Sequence, residues 1–503
     1  SSRCLRLRKA VRCLPAHAAP RERSLMASKA PIRCQGLVLG AGAAGLAAAR
    51  SLCEAGLERV VVLEARQRAG GRCHTSDELG CGVPLDHGAQ WIHGFSPEHP
   101  MVRLADDAGV ATSPQADGLN MLALSDGSLP EAEEEQAAGF AFQRLTAAAG
   151  GAALAVGGGD CTWTEALKSA AGSRDPADVL FGKRASPREM ALLKLRVYFN
   201  YENYEGARLD RWSVSNGETV TCLSGGNADV EGGYGSLISG LARGLDVRLG
   251  RRVVCVEYPD EDGAGADEVV VRCAVAGSEG QAEVQELYSA PRCVVALPLG
   301  VLRSGAVAFA PPLPARKAHA IANLGIALMD KVELVWEKRW WPAAVGTLQI
   351  ASCESTLTFH PWPWFLEPKA ARRHPLGWAV LVCYVTGAFA EELEGLEAED
   401  LAGRCRAALS EAFPALCVPE PCAVHATRWG RDPCSLGSWT YLTAGCSLHD
   451  ATALAEPVGN SGCLAFAGEH CCDGSQEGLD MGTVHGAFLS GCFAAQGLAS
   501  RCS

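Results

Sequence analysis

One stretch of this chain leaves few choices of fold. A stretch that reads as a buried strand, Ile32 to Leu39, passes directly into Gly40-Ala41-Gly42-Ala43-Ala44-Gly45 and then into a helical run ending near Ala55. A second run, Arg59 to Leu63, closes on Glu64. Strand, glycine turn, helix and strand make a βαβ opening. Gly40 permits the tight turn, Gly42 lets backbone approach a pyrophosphate, and Gly45 allows the helix to pack closely on the strand. The helix N-terminus then offers N–H groups and a partial positive charge to phosphate. Glu64 lies 19 residues after Gly45, where a carboxylate can accept both ribose hydroxyls. The spacing predicts nucleotide binding, without separating NAD from FAD.

The rest of the chain bounds the partners. At 503 residues it can bury two cores. Its net charge of -12 hides a split, because residues 1–30 carry eight basic side chains and one acid. The remainder holds 37 basic and 56 acidic residues, a balance of -19. Such a body argues against nucleic acid, which needs a cationic face, and suits a cationic substrate drawn in by long-range attraction. An acidic surface that only maintains solubility fits equally well. No run approaches the ~18–20 apolar residues of a membrane span, so a soluble intracellular protein is expected. The 23 cysteines contain no CxxC pair, so they read as small buried hydrophobes in a reducing compartment, with no metal site implied. The first ~30 residues, basic and poor in acid, resemble an organelle transit peptide or else precede a start at Met26. No oligomeric state is implied.

Further elements follow from periodicity. Leu241 to Leu249 reads as a helix end, a glycine turn and a strand. Val253 to Tyr258 and Glu268 to Ala274 read as paired strands around a turn at 260–265. Cys293 to Leu297 and Lys331 to Trp336 read as strands, and Phe389 to Ala412 as largely helical. Residues 111–185 are Ala-, Gly- and acid-rich with weak periodicity, and Gly157-Gly158-Gly159-Asp160 reads as a loop.

Residues beyond the turn choose between the nucleotides. Glu64-Ala65-Arg66-Gln67-Arg68-Ala69-Gly70-Gly71-Arg72 and, near the other end, Phe466-Ala467-Gly468-Glu469 resemble paired motifs of the flavin-containing amine oxidase superfamily. Gly88-Ala89-Gln90-Trp91-Ile92-His93-Gly94, Gly232-Gly233-Tyr234-Gly235, Pro298-Leu299-Gly300-Val301-Leu302 and Thr483-Val484-His485-Gly486-Ala487 resemble further segments of it. The likeness covers most of residues 32–500 and fades between about 111 and 198. Its most similar branch is that of the polyamine oxidases.

The resemblance implies FAD as cofactor, held by Gly40, Gly42, Gly45, Glu64, Arg66, Gly71, Arg72, Gln90, Trp91, Val253, Trp429, Glu469, Thr483 and Val484. It places Lys331 on the lysine that reaches the flavin through a water, and His93 on a histidine of the W-I-H-G run; a hydrogen-bonded structural histidine remains the alternative for the latter. Nine residues beyond Trp429, where monoamine oxidases carry the flavin-linked cysteine, stands Ser438, which implies non-covalent FAD. Trp439 corresponds to one aromatic wall of the substrate site. The position of the other is Thr483, which opens it to a longer chain. Glu202, Glu205 and Asp480 are candidates for the acid that grips a distal ammonium.

The expected fold is therefore α/β. A Rossmann-like FAD domain from residues 32–110, 224–310 and 455–503 is interleaved with an α+β substrate domain, 111–223 and 311–454, built on a mixed sheet. The expected activity is oxidation of a polyamine (spermine, spermidine or an acetylated derivative) at a secondary amine, with O2 consumed and H2O2 released. A lysine-specific protein demethylase, a flavin desaturase or amino-acid oxidase, and a non-catalytic FAD-binding scaffold are the alternatives.

Overall fold

The computed structural model describes residues 30–115, 118–155, 160–171, 176–217, 223–260, 268–275, 284–353, 362–372 and 377–500. The N-terminal basic segment, the glycines 157–159 and most of the 260–265 turn lie outside them.

A five-stranded parallel sheet holds the nucleotide motif. Its strands are β1 (Gly36–Leu39), β2 (Val60–Leu63), β3 (Asp246–Arg248), β4 (Cys293–Val295) and β5 (Leu464–Phe466), in the order β3-β2-β1-β4-β5. Because side chains alternate along a strand, Val38, Val62, Val294 and Ala465 face one core, while Leu37, Leu39, Leu63, Val295 and Phe466 face another. Burial on both faces explains the unbroken apolar runs of β1, β2 and β4. Helix α1 (Ala43–Glu54) covers the first face, and the C-terminal helix α2 (Val484–Ser500) packs on it. The contact is tight: a Cβ at Gly491 would lie 2.1 Å from the Ala44 carbonyl oxygen.

The stretch expected as one strand, Ile32 to Leu39, divides. Ile32–Arg33 pairs with Val284–Ala290 in a separate five-stranded sheet, and only Gly36–Leu39 enters the parallel one. Between them, Gln35 Oε1 accepts the N–H groups of Glu58 and Arg59 at 2.7 and 2.9 Å. The paired strands expected near 253–274 are observed as Arg251–Glu257 and Val269–Val275, antiparallel.

A six-stranded mixed sheet forms a second layer. Its strands, in order, are Ala423–Ala426, Met329–Trp336, Ala379–Thr386, Trp364–Leu366, Val345–Ala351 and Leu119–Leu124, the last pair parallel and the others antiparallel. Along Met329–Trp336, Val332, Leu334 and Trp336 enter a core under helix Ala398–Ala412. Lys331, Glu333 and Val335 therefore share the opposite face, where Val335 packs with Cys81, Val83, Leu85 and Tyr384.

The weakly periodic region is more ordered than its sequence suggests. It supplies strand Leu119–Leu124 and helices Ala132–Ala155, Trp163–Ala171 and Pro176–Phe181. The longest of these is alanine-rich around its circumference, so it presents no sharp apolar stripe to read. No helix among the described residues is long and apolar enough to cross a membrane.

Candidate functional site

A cavity of about 630 Å³ runs from the glycine turn to the mixed sheet. At one end, Gly40 adopts φ +101°, and a Cβ there would sit 2.7 Å from the Ala296 carbonyl. A Cβ at Gly45 would lie 1.9 Å from Gly40 O, so helix and turn could not approach as they do. Gly42 meets nothing within 4 Å of its Cβ position and lines the cavity. It opens α1 without a side-chain cap and without an acid in the first turn, leaving the helix N–H groups free for an anion.

Glu64 is held ready beside it. Its Oε2 accepts from Ala41 N–H and its Oε1 from Arg66 N–H, each at 2.8 Å. The Gly70-Gly71 pair passes close by: Gly70 bridges to Gly42, and a Gly71 Cβ would stand 3.5 Å from Gly42 Cα. Arg66 reaches across to Asp432 at 2.5 Å, Ser435 Oγ at 2.8 Å and Cys434 O at 3.3 Å, tying the 432–435 turn over this end. Val253 lines the wall from strand Arg251–Glu257.

In the middle, Arg72 Nη1 donates to Ser438 O and to Glu469 Oε1, both at 2.8 Å. Burial pushes the Glu469 carboxyl up, but Arg72 and the Thr440 N–H outweigh it and hold the group ionised. Next to it, His470 is 1% exposed and neither ring nitrogen has a hydrogen-bond partner among the described residues. Burial drives its pKa down to about 4, so a neutral imidazole with unspent donor and acceptor lines the cavity. Sequence reasoning passed over this residue. Trp429 is fixed by its Nε1 on His87 O at 3.1 Å and its N–H on Asp330. Ser438 Oγ bridges the N–H and the carbonyl of Met329, at 2.9 and 3.0 Å.

Lys331 stands at the far end, 4% exposed. Its ammonium donates to Asp86 O, to Gly88 O at 2.8 Å and to Gln90 Oε1 at 3.0 Å. Burial lowers its pKa to about 8, against the charges of Asp86 and Glu333. Gln90 Oε1 also accepts from Tyr384 OH at 2.6 Å. Tyr384 stacks between Trp91, at 5.7 Å, and Trp364, at 4.5 Å, and Phe199 meets Trp364 edge-on at 5.4 Å. All four rings line the cavity. Only Trp91 was expected; Tyr384 and Trp364 lie on apolar strands where an aromatic reads as core.

His93 also lines the cavity, with Nδ1 2.8 Å from Asn227 Oδ1. Burial lowers its pKa, so the ring is neutral, and Nδ1–H is the donor. Thr483 Oγ1 accepts from Gly486 N–H at 3.0 Å and so caps α2. Val484 then begins the helix with its N–H unused by it, at the cavity wall.

The three candidate acids separate. Glu205 lines the cavity, half-buried, and its carboxylate has no hydrogen bond or ion pair among the described residues. Burial alone raises its pKa to about 7. It follows a π-helical turn, Tyr198–Glu202, and its carbonyl accepts from Trp439 Nε1 at 2.9 Å. Trp439 is itself part of the wall. Glu202 and Asp480 do not line the cavity. Glu202 Oε1 takes the Leu209 N–H at 3.4 Å, and burial raises its pKa to about 7. Asp480 Oδ2 is 2.8 Å from His485 Nε2 and 3.1 Å from Leu223 N, and the residue is 3% exposed.

Histidine and glutamate also converge where the spacing of cysteines gave no hint. His74, Glu78 and His87, and His87, Glu333 and His425, lie close enough to hold a cation, and here they are paired with one another.

The free N-terminus of α1, the poised Glu64 and the orphaned His470 suit a dinucleotide with a polar middle, as FAD has. The profile of a family described as flavin containing amine oxidoreductase matches residues 43–499. Polyamine oxidase 5 of Oryza sativa subsp. japonica is 30% identical over 473 residues, covering 92% of this chain and 86% of that protein. A lysine-specific histone demethylase 1 homolog 2 of Arabidopsis thaliana is 30% identical over 90% of this chain, but only 57% of that protein is covered. Putrescine oxidase bound to putrescine superposes with a TM-score of 0.66 at 20% identity, over 93% of this chain and all of the other.

Proposed function

This chain belongs to the flavin-containing amine oxidoreductase family, and from that premise we propose that it oxidises a polyamine at a secondary amine. O2 and water are consumed, and H2O2, an aldehyde and a shortened amine are released. The cofactor is FAD, which when bound supplies a two-electron acceptor that O2 can reoxidise. We assign its hold to residues 32–110, 224–310 and 455–503, and the substrate to 111–223 and 311–454. Gly40, Gly42 and Gly45 shape the pyrophosphate cradle, Glu64 takes the ribose hydroxyls, and Val253 borders the adenine. Arg66, Gly71, Arg72, Trp429 and Glu469 border the remainder of the dinucleotide. Gln90, Trp91, Thr483 and Val484 border the ring. Ser438 cannot form a thioether, and its hydroxyl is already committed to Met329, so the attachment is non-covalent.

In this reading Lys331 presents its positive charge at the reacting end, to favour negative charge developing on O2. His93, neutral through burial, offers Nε2 as an acceptor to a substrate N–H. Tyr384, Trp364, Phe199 and Trp439 exclude water and offer ring faces to a cation. One observation carries the substrate class: a cavity walled by aromatic rings contains a single unpartnered carboxylate, Glu205, among its described residues. A long polyamine can keep one nitrogen neutral for oxidation and a second protonated at that acid.

The demethylase reading shares the frame, since two such relatives are 29% and 30% identical over 90% of this chain. H2O2 release from spermine, spermidine and their acetyl derivatives should exceed that from putrescine and benzylamine by at least ~10-fold in kcat/KM. Equal turnover of benzylamine moves the protein to the monoamine branch. Preference for a methylated peptide or an L-amino acid replaces the reading outright.

A further inference from the structure

Two residues along the strand from Lys331, Glu333 is fully buried, and both its oxygens face imidazoles. His87 Nδ1 lies 3.0 Å from Oε1, and His425 Nδ1 lies 2.9 Å from Oε2. The outer nitrogens are engaged as well: His87 Nε2 meets Ser76 Oγ at 2.7 Å, and His425 Nε2 is 3.4 Å from Glu78 Oε2. The Glu78 side chain is 49% exposed, so polar groups run from solvent to the interior as Glu78, His425, Glu333 and His87. The inner end of this chain is the floor of the reactive site. His87 stands between Asp86 and Gly88, whose carbonyls receive the Lys331 ammonium, and its own carbonyl receives Trp429 Nε1.

We infer that Glu333 is a positioning residue for Lys331: its grip on the His87 ring fixes the carbonyl cradle, and with His425 it sets the charge the ammonium faces. This rests on the proposed placing of Lys331 against the flavin. A carboxylate in a strand interior with no Lys or Arg partner needs a reason, since an unpaired buried charge is strongly unfavourable. Two imidazole N–H donors supply it. Burial pushes Glu333 up, but the His425 and His87 donors outweigh it and hold its pKa near about 2, so it stays ionised. Burial lowers His425, yet Glu333 and then Glu78 overcome this and raise it above its ordinary value.

The sign of the coupling follows. Below the His425 pKa, Glu333 and His425 sum to zero. As pH rises through that raised value His425 loses its proton, and the bare Glu333 charge then helps Lys331 keep its own. Other charges face the same ground: Asp330 on the same strand, Asp86, Glu78 and His74 from the 74–87 segment, Arg68 behind His74, Arg428 beyond His425, and the Tyr384 ring over the ammonium. Each is present in wild type and in both variants below, so a difference between variants reports Glu333 and His425.

The test uses the full chain with FAD bound. Reoxidation of the dithionite-reduced protein by O2 is followed in stopped flow from pH 6 to 10, a reaction that needs no amine substrate. Glu333→Gln removes the charge and should move the alkaline limb down by ~1 pH unit. His425→Gln leaves Glu333 charged with no proton beside it, as deprotonation of His425 does in the wild type, so the same limb should not fall in this variant. Imidazole proton NMR supplies a readout apart from turnover: in Glu333→Gln, the His425 titration should fall to about 6.5 or below. A limb that stays put in Glu333→Gln, or that falls in both variants, overturns the inference, as does an unchanged His425 titration. If the wild type shows no alkaline limb, and Lys331→Met reoxidises like wild type, the placing of Lys331 has failed instead.

Discussion

Glu205→Gln tests the polyamine reading most directly, because the structure specifies both the size and the pH dependence of its effect. The carboxyl has no partner among the described residues, and burial alone lifts its pKa to about 7. Below about pH 6 it is a neutral acid and offers a distal ammonium little more than an amide does. Above about pH 8 it is a carboxylate, and a charge-assisted contact in a partly buried wall contributes ~1.5–3 kcal/mol. At ~1.4 kcal/mol per tenfold, that is ~10–150-fold in kcat/KM. The quantity to plot is the wild-type to Glu205→Gln ratio of kcat/KM for spermine, since the substrate's own ionisations cancel in it. The ratio should climb from near one at pH 5.5 to its plateau by pH 8.5, with a midpoint near 7. The direction follows from the raised pKa: the anion, and hence the contact, exists only above it. The same ratio for benzylamine, which has no second nitrogen, should stay within ~2-fold at every pH. A spermine ratio that is flat with pH, or a benzylamine ratio that rises with it, refutes the assignment of Glu205 to the distal cation.

Lys331→Met should slow flavin reduction or reoxidation by ~10–1,000-fold, the scale of one positioned charge or proton-transfer group. Stopped-flow traces equal to wild type in both half-reactions would remove the lysine from the chemistry. Acid precipitation of the yellow protein should leave its flavin in the supernatant, because Ser438, which cannot form a thioether, stands where a flavin-linked cysteine would be; flavin in the pellet contradicts this.

The nucleotide end was legible because backbone geometry demanded it. Gly45 cannot carry a Cβ 1.9 Å from a carbonyl, and a residue at Gly40 would meet Ala296 O, so both positions announce themselves as glycine. Glu64 was legible from its place at the end of the second strand, and Glu469 only from the family resemblance of Phe466-Ala467-Gly468-Glu469. The substrate end was less so. Asp480 is three residues from Thr483, which suggested a shared pocket. The turn that caps α2 instead aims it at His485 and Leu223. Tyr384 and Trp364 come from strands whose neighbours are uniformly buried, and one sequence does not reveal which buried ring borders a void. Glu333 and His425 meet through neighbouring strands, and His87 joins from the 74–87 segment, pairings that only the register of the sheet brings about.

The order of the parallel sheet, β3-β2-β1-β4-β5, also governs when the protein can first become complete. β1 and β5 are separated by about 425 residues, ~20–85 s of synthesis at ~5–20 residues per second. From the time Cys293–Val295 is made until Leu464 follows, about 169 residues later, β4 presents an open edge, the kind that recruits strands from other chains. The pieces that close it arrive together: Leu464–Phe466 seals the edge, Glu469 reaches Arg72, and Thr483 starts the helix that packs on α1. On the proposed assignment, closure of the flavin site therefore waits until residues 464–486 have been made. A nascent chain halted short of residue 464 carries a perfect glycine turn and has nothing with which to close the site around its cofactor.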